Sequence, residues 1–305
     1  MANVITVPKQ KKNLIEVISN SEAFWGYSFL LPIIIGFLVF TAFPVVMSMY
    51  YSLTRFDGIT TPIFIGLENY RHILTDSVFL RSLWNTVYFT LGTVPLGTFI
   101  ALVIAVMLNS NIKFMSIFRA AYFIPVIVSM VSVAMVWQWM YQPEFGLINA
   151  VLGRLGLPQP RWLASMELAM PSVIAMSIWR GLGFTIVIYL AGLSGISSSV
   201  YEAADIDGAS TIQKFFHLTI PLLRHTTLFV LVIGMIGAFQ AFDQIYIMTR
   251  GGPARATQVV VYMIYTHAFQ YFRQGMASAM AYVLFIIIFI GSIIQMKISQ
   301  SKDVV

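Results

Sequence analysis

Tyr201-Glu202-Ala203-Ala204-Asp205-Ile206-Asp207-Gly208-Ala209-Ser210, closing through Leu218-Thr219-Ile220-Pro221, is a polar stretch set between two apolar runs. Ser197, Ser198 and Ser199 offer hydroxyl caps for a helix starting near Val200. Gly208 follows the acidic turn and is free to take the left-handed conformation that ends a helix. Ser210 is placed to cap a second helix through Phe216 and Leu218, and Pro221 marks the turn into the next apolar run. The pattern predicts two short helices joined by a glycine elbow, too polar to enter a bilayer. Glu202, Asp205 and Asp207 fall on one side of the elbow and small alanines on the other. Small residues permit close backbone approach, and a carboxylate is a directional partner for arginine.

The rest of the chain is as apolar as this stretch is polar. Of 305 residues, 58% are hydrophobic and only 10% charged, with a mean hydropathy of +0.82. Soluble domains carry about 25% charged residues, so this chain cannot cover its own surface with polar groups and must face lipid. The absence of cysteine excludes a disulfide framework, iron–sulfur ligation and a thiol nucleophile. The net charge of +6 is spread over many short loops and reads as membrane topology and contact with anionic headgroups, not nucleic acid. Lys9, Lys11 and Lys12 precede an apolar run too long for a signal peptide, which is therefore read as a retained first span.

Six runs are long enough to cross a hydrocarbon core, which takes roughly 20 helical residues: 24–52, 82–109, 115–141, 168–193, 226–248 and 276–297. Pro32 and Pro44 are expected to kink the first, while Pro95 and Pro125 lie within the second and third. Loops at 53–81, 142–167 and 249–275 face one side. The termini, a tight turn at 110–114 and the loop 194–225 face the other. Lys and Arg divide almost evenly between the two sides. The lysines ahead of the first span and the basic, acid-free 110–119 turn favour both termini inside. One membrane domain, 24–297, is thus flanked by cytoplasmic tails at 1–23 and 298–305. Phe64, Leu67, Tyr70, Ile73 and Leu74 recur at helical spacing and predict an amphipathic helix, either on the outer membrane surface or capping the bundle. No internal repeat and no discontinuous helix is evident.

Glu202-Ala203-Ala204, three residues, Gly208, nine residues, then Leu218-Thr219-Ile220-Pro221 resembles the EAA loop of permease subunits of bacterial ABC importers. That pattern ends Ile-x-Leu-Pro, and here the two aliphatics are exchanged. The resemblance covers nearly the whole chain and is similar to the carbohydrate-uptake branch of maltose, lactose and glycerol-3-phosphate permeases. Supporting stretches are Phe64-Ile65-Gly66-Leu67-Glu68-Asn69-Tyr70, Trp179-Arg180-Gly181-Leu182-Gly183-Phe184, Gly237-Ala238-Phe239-Gln240-Ala241-Phe242-Asp243 and Gly251-Gly252-Pro253. It implies an all-α integral membrane fold of six transmembrane helices with a cytoplasmic coupling-helix loop, the type I importer permease fold. Glu202, Ala203, Ala204, Asp207, Gly208 and Pro221 would then couple to a cytoplasmic ATPase. The implied partners are a second, similar permease subunit, two ATPase subunits and an external substrate-binding protein, in a bacterial inner membrane. Gly251, Gly252 and Pro253 would lie near the docking surface for that binding protein.

Ionisable residues within spans are costly and default to functional candidates. Arg180 lies about twelve residues, or roughly 18 Å, from the outer end of its helix, and Asp243 roughly 8 Å from the outer end of its own. A direct structural pair between them is not favoured but stays open beside the alternative, in which each lines the aqueous path and meets substrate hydroxyls or a partner subunit. Gln138, Gln240, Gln244 and Trp179 join them as substrate-path candidates, because sugar sites combine amide hydrogen bonds with aromatic faces. Gln also joins helices to one another, and Trp137 and Trp139 sit where belt residues do.

No G-x-x-x-x-G-K-[ST] phosphate loop is present. ATP and its Mg would therefore belong to the partner ATPase, and this chain is expected to hold no cofactor. His72, His217, His225 and His267 lack metal-ligand spacing. Gly192-Leu193-Ser194-Gly195 matches the G-x-S-G of intramembrane proteases, but no span supplies the histidine that chemistry needs. No catalytic residue is assigned. The rival readings are a permease for an amino acid or peptide, and a secondary transporter.

Overall fold

The computed structural model of the protein describes residues 22–109 and 115–300. The tight turn at 110–114, nearly all of both tails and their lysines lie outside the described residues. The chain divides into two units, Met1–Tyr51 and Ser52–Val305.

The first unit is helical from Glu22. Helix α1 runs Glu22–Phe37 and passes through a π turn at Leu38–Ala42 into α2, Phe43–Ser52. Phe43 N–H bonds to Leu38 O across that turn. Pro44 has no N–H to continue the ordinary ladder, so the wide turn sits where the ladder is interrupted. Pro32 lies within α1. The span expected at 24–52 is present as Phe24–Ser52.

The second unit opens with a two-residue antiparallel ladder, β1 Thr54–Arg55 against β2 Ile63–Phe64. The Asp57 carboxylate accepts bonds from Ile59 N–H and Thr60 N–H in the connecting turn. Those amides hold its pKa below the usual carboxylate value. Helix α3, Glu68–Thr75, is the expected amphipathic helix. It caps the unit: Ile73 is fully buried against Phe79, Val260 and Met280, and Asn69 donates to Ser52 O and Thr54 O, both at 2.9 Å.

Two long helices form the frame, α4 Ser77–Leu108 and, later, α8 Ala169–Ser194. They pack along their length, with Ala101, Leu102 and Ala105 of α4 against Ile186, Tyr189 and Leu193 of α8. The last span, here α15, is Gln274–Gln300.

Two expected spans are not single helices. The run 115–141 forms α5 Met115–Ile127 and α6 Met130–Met140, with a 109° bend between them. Ser129 leaves helical geometry with ψ 136, a few residues past Pro125, whose ring removes one ladder bond. The run 226–248 also breaks: α12, Arg224–Phe239, stops, and α13, Asp243–Met248, restarts after Phe242 at φ −135. The reading of no discontinuous helix is therefore corrected. Among the described residues, four helices are long and apolar enough to cross a membrane, or up to six if each bent pair is one span.

The intervening loops hold order that hydropathy does not announce. Helix α7, Leu147–Arg154, is fixed by buried Asn149, which donates to Pro143 O and Pro160 O and accepts from Trp162 Nε1 at 2.8 Å. Helix α14, Val260–Tyr265, continues through a π turn at Thr266–Gln270 inside what reads as loop 249–275.

Candidate functional site

Between α8 and α12 the polar stretch folds as two short helices about a glycine. Helix α9 spans Ser198–Ile206, and α10, Thr211–Lys214, passes through a π turn, Phe215–Thr219, into α11, Ile220–Leu222. Gly208 has φ +74. Ala209 N–H bonds to Ala204 O at 2.9 Å, closing the helix end in the manner of a Schellman motif. Ser210 forms a capping box with Gln213. Ser197 is the N-cap of α9 by backbone geometry, but its hydroxyl bonds to that of Ser199, not to a backbone N–H of the helix.

The limbs are tied together. Lys214 Nζ meets Asp205 Oδ1 at 2.6 Å, and Tyr201 OH meets Thr219 Oγ1 at 3.1 Å. Asp205 is thus paired, though its side chain stays exposed. The Glu202 and Asp207 side chains are exposed, with no ion pair among the described residues. Ala203 is exposed, Ala204 is buried between the limbs, and Pro221 is exposed near the 68° bend into α12. Ile206 is 87% exposed on a loop too polar for lipid, the kind of apolar side chain that marks a protein contact.

A second feature lies between the long helices: a cavity of about 290 Å³ lined by residues of α4, α6, α8, α12 and α13. Of the six residues expected along the path, Arg180 and Gln244 line it. The Arg180 Nε is buried without an acceptor, while Nη2 reaches 3.5 Å from Val128 O, a carbonyl freed at the break between α5 and α6. Arg180 and Asp243 form no ion pair. Asp243 is exposed in the first turn of α13, and Gln240 is exposed at the end of α12. Gln138 Nε2 sits 3.4 Å from Met248 O, joining α6 to α13, and Trp179 packs on Trp137 at 5.4 Å. The structure therefore separates these residues from the cavity.

Sequence reasoning missed the hydroxyls. Thr93, Ser177 and Thr185 line the same cavity, and each donates its proton to the carbonyl one turn back in its own helix. Their remaining lone pairs accept hydrogen bonds. Together with Arg180 donors and the Gln244 amide, the cavity offers both halves of a bond to a polyhydroxyl solute. Ser and Thr at such positions carry no distinguishing signal, since the back-bond forms wherever they face.

The Gly251-Gly252-Pro253 turn is built firmly. Arg250, Gly251, Ala254 and Arg255 all have positive φ, and the Gly252–Pro253 bond is cis. Buried Asn85 of α4 donates to Arg255 O and Gln258 O, both at 3.0 Å. Thr257, fully buried, donates to Gly252 O at 2.7 Å. No group of His, Cys, Asp or Glu among the described residues could hold a metal ion.

A helical membrane frame, an exposed elbow between two spans and a largely apolar cavity with a few convergent polar groups near the helix breaks define a transport subunit. Residues 58–303 match the family described as "Binding-protein-dependent transport system inner membrane component", and the chain belongs to that family. It is 39% identical over 280 residues to "Probable ABC transporter permease protein YesP" of Bacillus subtilis (strain 168), covering 90% of each chain. It is 34% identical over 279 residues to "Arabinooligosaccharides transport system permease protein AraP" of the same organism, covering 90% of this chain and 88% of the relative. Among solved structures, one described as a bacterial alginate ABC transporter in complex with alginate pentasaccharide-bound periplasmic protein shares the fold. Its TM-score is 0.80 at 23% identity, covering 92% of this chain and 95% of that one. Discontinuous helices also occur in secondary transporters, but family membership assigns these to a multi-pass ABC permease.

Proposed function

We propose that this chain is the membrane-spanning subunit of an ATP-driven importer of a sugar or related polyol, contributing half of the translocation pathway. The observation that carries the reading is the elbow at Gly208, closed at both limbs, with Glu202 and Asp207 presented outward from an apolar bundle. A rigid polar projection of this kind suits transmission of a partner's motion to the spans, by rigid-body rocking about a fixed cavity. Glu202 is assigned the contact with a basic residue of the ATPase, and Ala203, Ala204, Gly208 and Pro221 shape the projection. ATP and Mg bind on that ATPase, and both termini and the elbow face the cytoplasm.

The carbohydrate class is supported by relatives named for arabinooligosaccharide and other sugar transport and by the hydroxyl, amide and guanidinium lining of the cavity. Arg180 and Gln244 are assigned to the path. Gln138, Trp179, Gln240 and Asp243 act around it. The firmly held turn at Gly251, Gly252 and Pro253 is assigned to docking an external binding protein, and a second permease chain completes the pathway.

The test is reconstitution of the co-purified complex in liposomes, with saccharide uptake measured with and without ATP and binding protein. Uptake that needs both is the expected result. Uptake driven by an ion gradient alone, or none for any saccharide the binding protein retains, would overturn the reading.

A further inference from the structure

Arg180 carries the one charge in the cavity between the long helices, and no described acid pairs with it. Six polar side chains line that space: Thr93, Thr98, Ser177, Arg180, Thr185 and Gln244. The other five are neutral, four hydroxyls and an amide. No Asp or Glu lines it. Within the six apolar runs Asp243 is the one acid. It is exposed in the first turn of α13, without an ion pair to Arg180.

The guanidinium is also short of acceptors. Its Nε is buried with no partner. Nη2 reaches the neutral Val128 O only at 3.5 Å, the outer limit of a hydrogen bond. A guanidinium cannot escape this by losing its proton. A charge held in a span persists where it faces a water-filled path or a partner group. Arg180 shares one face of α8 with Ser177 and Gly181, three residues before it and one after. It therefore stands among the hydroxyls, on the wall of the cavity. The space beside it is open: a Cβ on Gly181 or on Gly237, both of which line the cavity, would meet nothing within 4 Å. At about 290 Å³ the cavity sits at the lower edge of ligand pockets, which run from about 300 to 1,000 Å³.

A solute whose polar groups are all hydroxyls would satisfy the Thr, Ser and Gln lining and leave the charge unpaired. A carboxylate or another oxyanion pairs it through two parallel N–H bonds. We propose that the solute of this pathway is an anionic saccharide, a sugar bearing an oxyanion, and that Arg180 binds that group while the hydroxyl and amide lining meets the ring hydroxyls. This rests on the reading of the cavity as half of a saccharide importer's pathway, and narrows its substrate class.

The test takes the co-purified permease–ATPase complex in lipid nanodiscs, without the external binding protein, so that the cavity does the selecting. Retention of labelled solutes is measured by equilibrium dialysis, without nucleotide and with ATP. Two probe pairs set an anionic sugar against its neutral counterpart: digalacturonate against galactobiose, and glucose 6-phosphate against glucose. Wild type should hold at least one anionic member about tenfold more tightly than its neutral counterpart, the scale of one charge-assisted hydrogen bond. Preference for digalacturonate identifies the oxyanion as a carboxylate, and preference for glucose 6-phosphate identifies it as a phosphate. Arg180→Gln should remove the preference and Arg180→Lys should keep most of it, with both variants still co-purifying with their partner subunits. Equal retention of both members of each pair, or of neither, would overturn the inference, as would a preference that survives Arg180→Gln. Loss of co-purification in Arg180→Gln together with no preference in wild type would assign the charge to an ion pair with the second permease chain instead. ATP- and binding-protein-dependent uptake of a neutral saccharide by the same complex would then leave the importer reading standing. No ATP-driven uptake of any saccharide would sink both.

Discussion

Replacing Gly208 by alanine isolates the backbone contribution to the elbow. Gly208 holds φ +74, and a Cβ there would meet nothing within 4 Å, so the cost is conformational and not steric crowding. An L-residue in left-handed geometry is disfavoured by about 1–2 kcal/mol. Loss of glycine's freedom in the unfolded chain offsets a few tenths of that, leaving a net of about 1 kcal/mol. The closed elbow is read out by Ala209 N–H, which bonds to Ala204 O at 2.9 Å. Amide exchange of the 204–210 segment should therefore speed up about fivefold in Gly208→Ala, since about 1.4 kcal/mol is a factor of ten. Asparagine tolerates the left-handed region better, so Gly208→Asn should exchange only about twofold faster. The order of the two variants is decisive. Wild-type exchange in the alanine variant, or faster exchange with the larger asparagine, would refute the argument from φ.

Gly183 and Gly181 make a matched pair on α8. A Cβ on Gly183 would overlap Tyr122 O, a backbone atom of α5, whereas one on Gly181 meets nothing within 4 Å. Gly183→Ala should destabilise by about 1–3 kcal/mol through overpacking. Gly181→Ala should be neutral or stabilising by up to about 1 kcal/mol through helix propensity. Thermal unfolding in nanodiscs checks both, and equal effects would contradict the close approach of α5 and α8. Arg180→Ala and Asp243→Asn should lower uptake by the reconstituted complex while leaving subunit co-purification unchanged. Normal uptake by both would remove them from the pathway. Burial holds the His267 pKa below its usual value, partly countered by its bond to Met263 O. The unfolded chain then binds a proton that the folded one resists, so this group's share of stability is intact above about pH 6.5 and lost as pH falls below it. His267→Gln should flatten the stability profile between about pH 7.5 and 5, and an unchanged slope would rule the group out.

Several features were legible because one physical term dominates them. Apolar runs of sufficient length fix the spans at 24–52 and 168–193 to within a residue or so of Phe24–Ser52 and Ala169–Ser194. Ser210 and Gly208 mark the elbow because few residues suit a cap or a positive φ, and both behave as expected. The breaks at Ser129 and at 240–242 were hidden because hydropathy sums apolar content without regard to backbone direction, and Pro125 is compatible with either a kink or a full bend. Charge counting also grouped Asp205 with Glu202 and Asp207 as unpaired, whereas Lys214, nine residues further along, pairs with Asp205. Helix α14 escaped notice because Val260 and Met263 bury one face while Tyr262 and Tyr265 leave the other aromatic, a pattern that does not alternate cleanly with polar residues. Of the cavity lining, Arg180 stood out by the cost of a charge in lipid and Gln244 as an amide suited to a sugar site, while Thr93, Ser177 and Thr185 carry no such signal once bonded to their own helices.

The central claim is that this membrane subunit is driven through the exposed carboxylate of α9. It is tested most directly by charge reversal at Glu202, measured as substrate-stimulated ATP hydrolysis by the assembled complex. Glu202→Lys should abolish most of the stimulation and the uptake with it, while the variant still inserts and folds. Full stimulation and full uptake in Glu202→Lys would contradict the account.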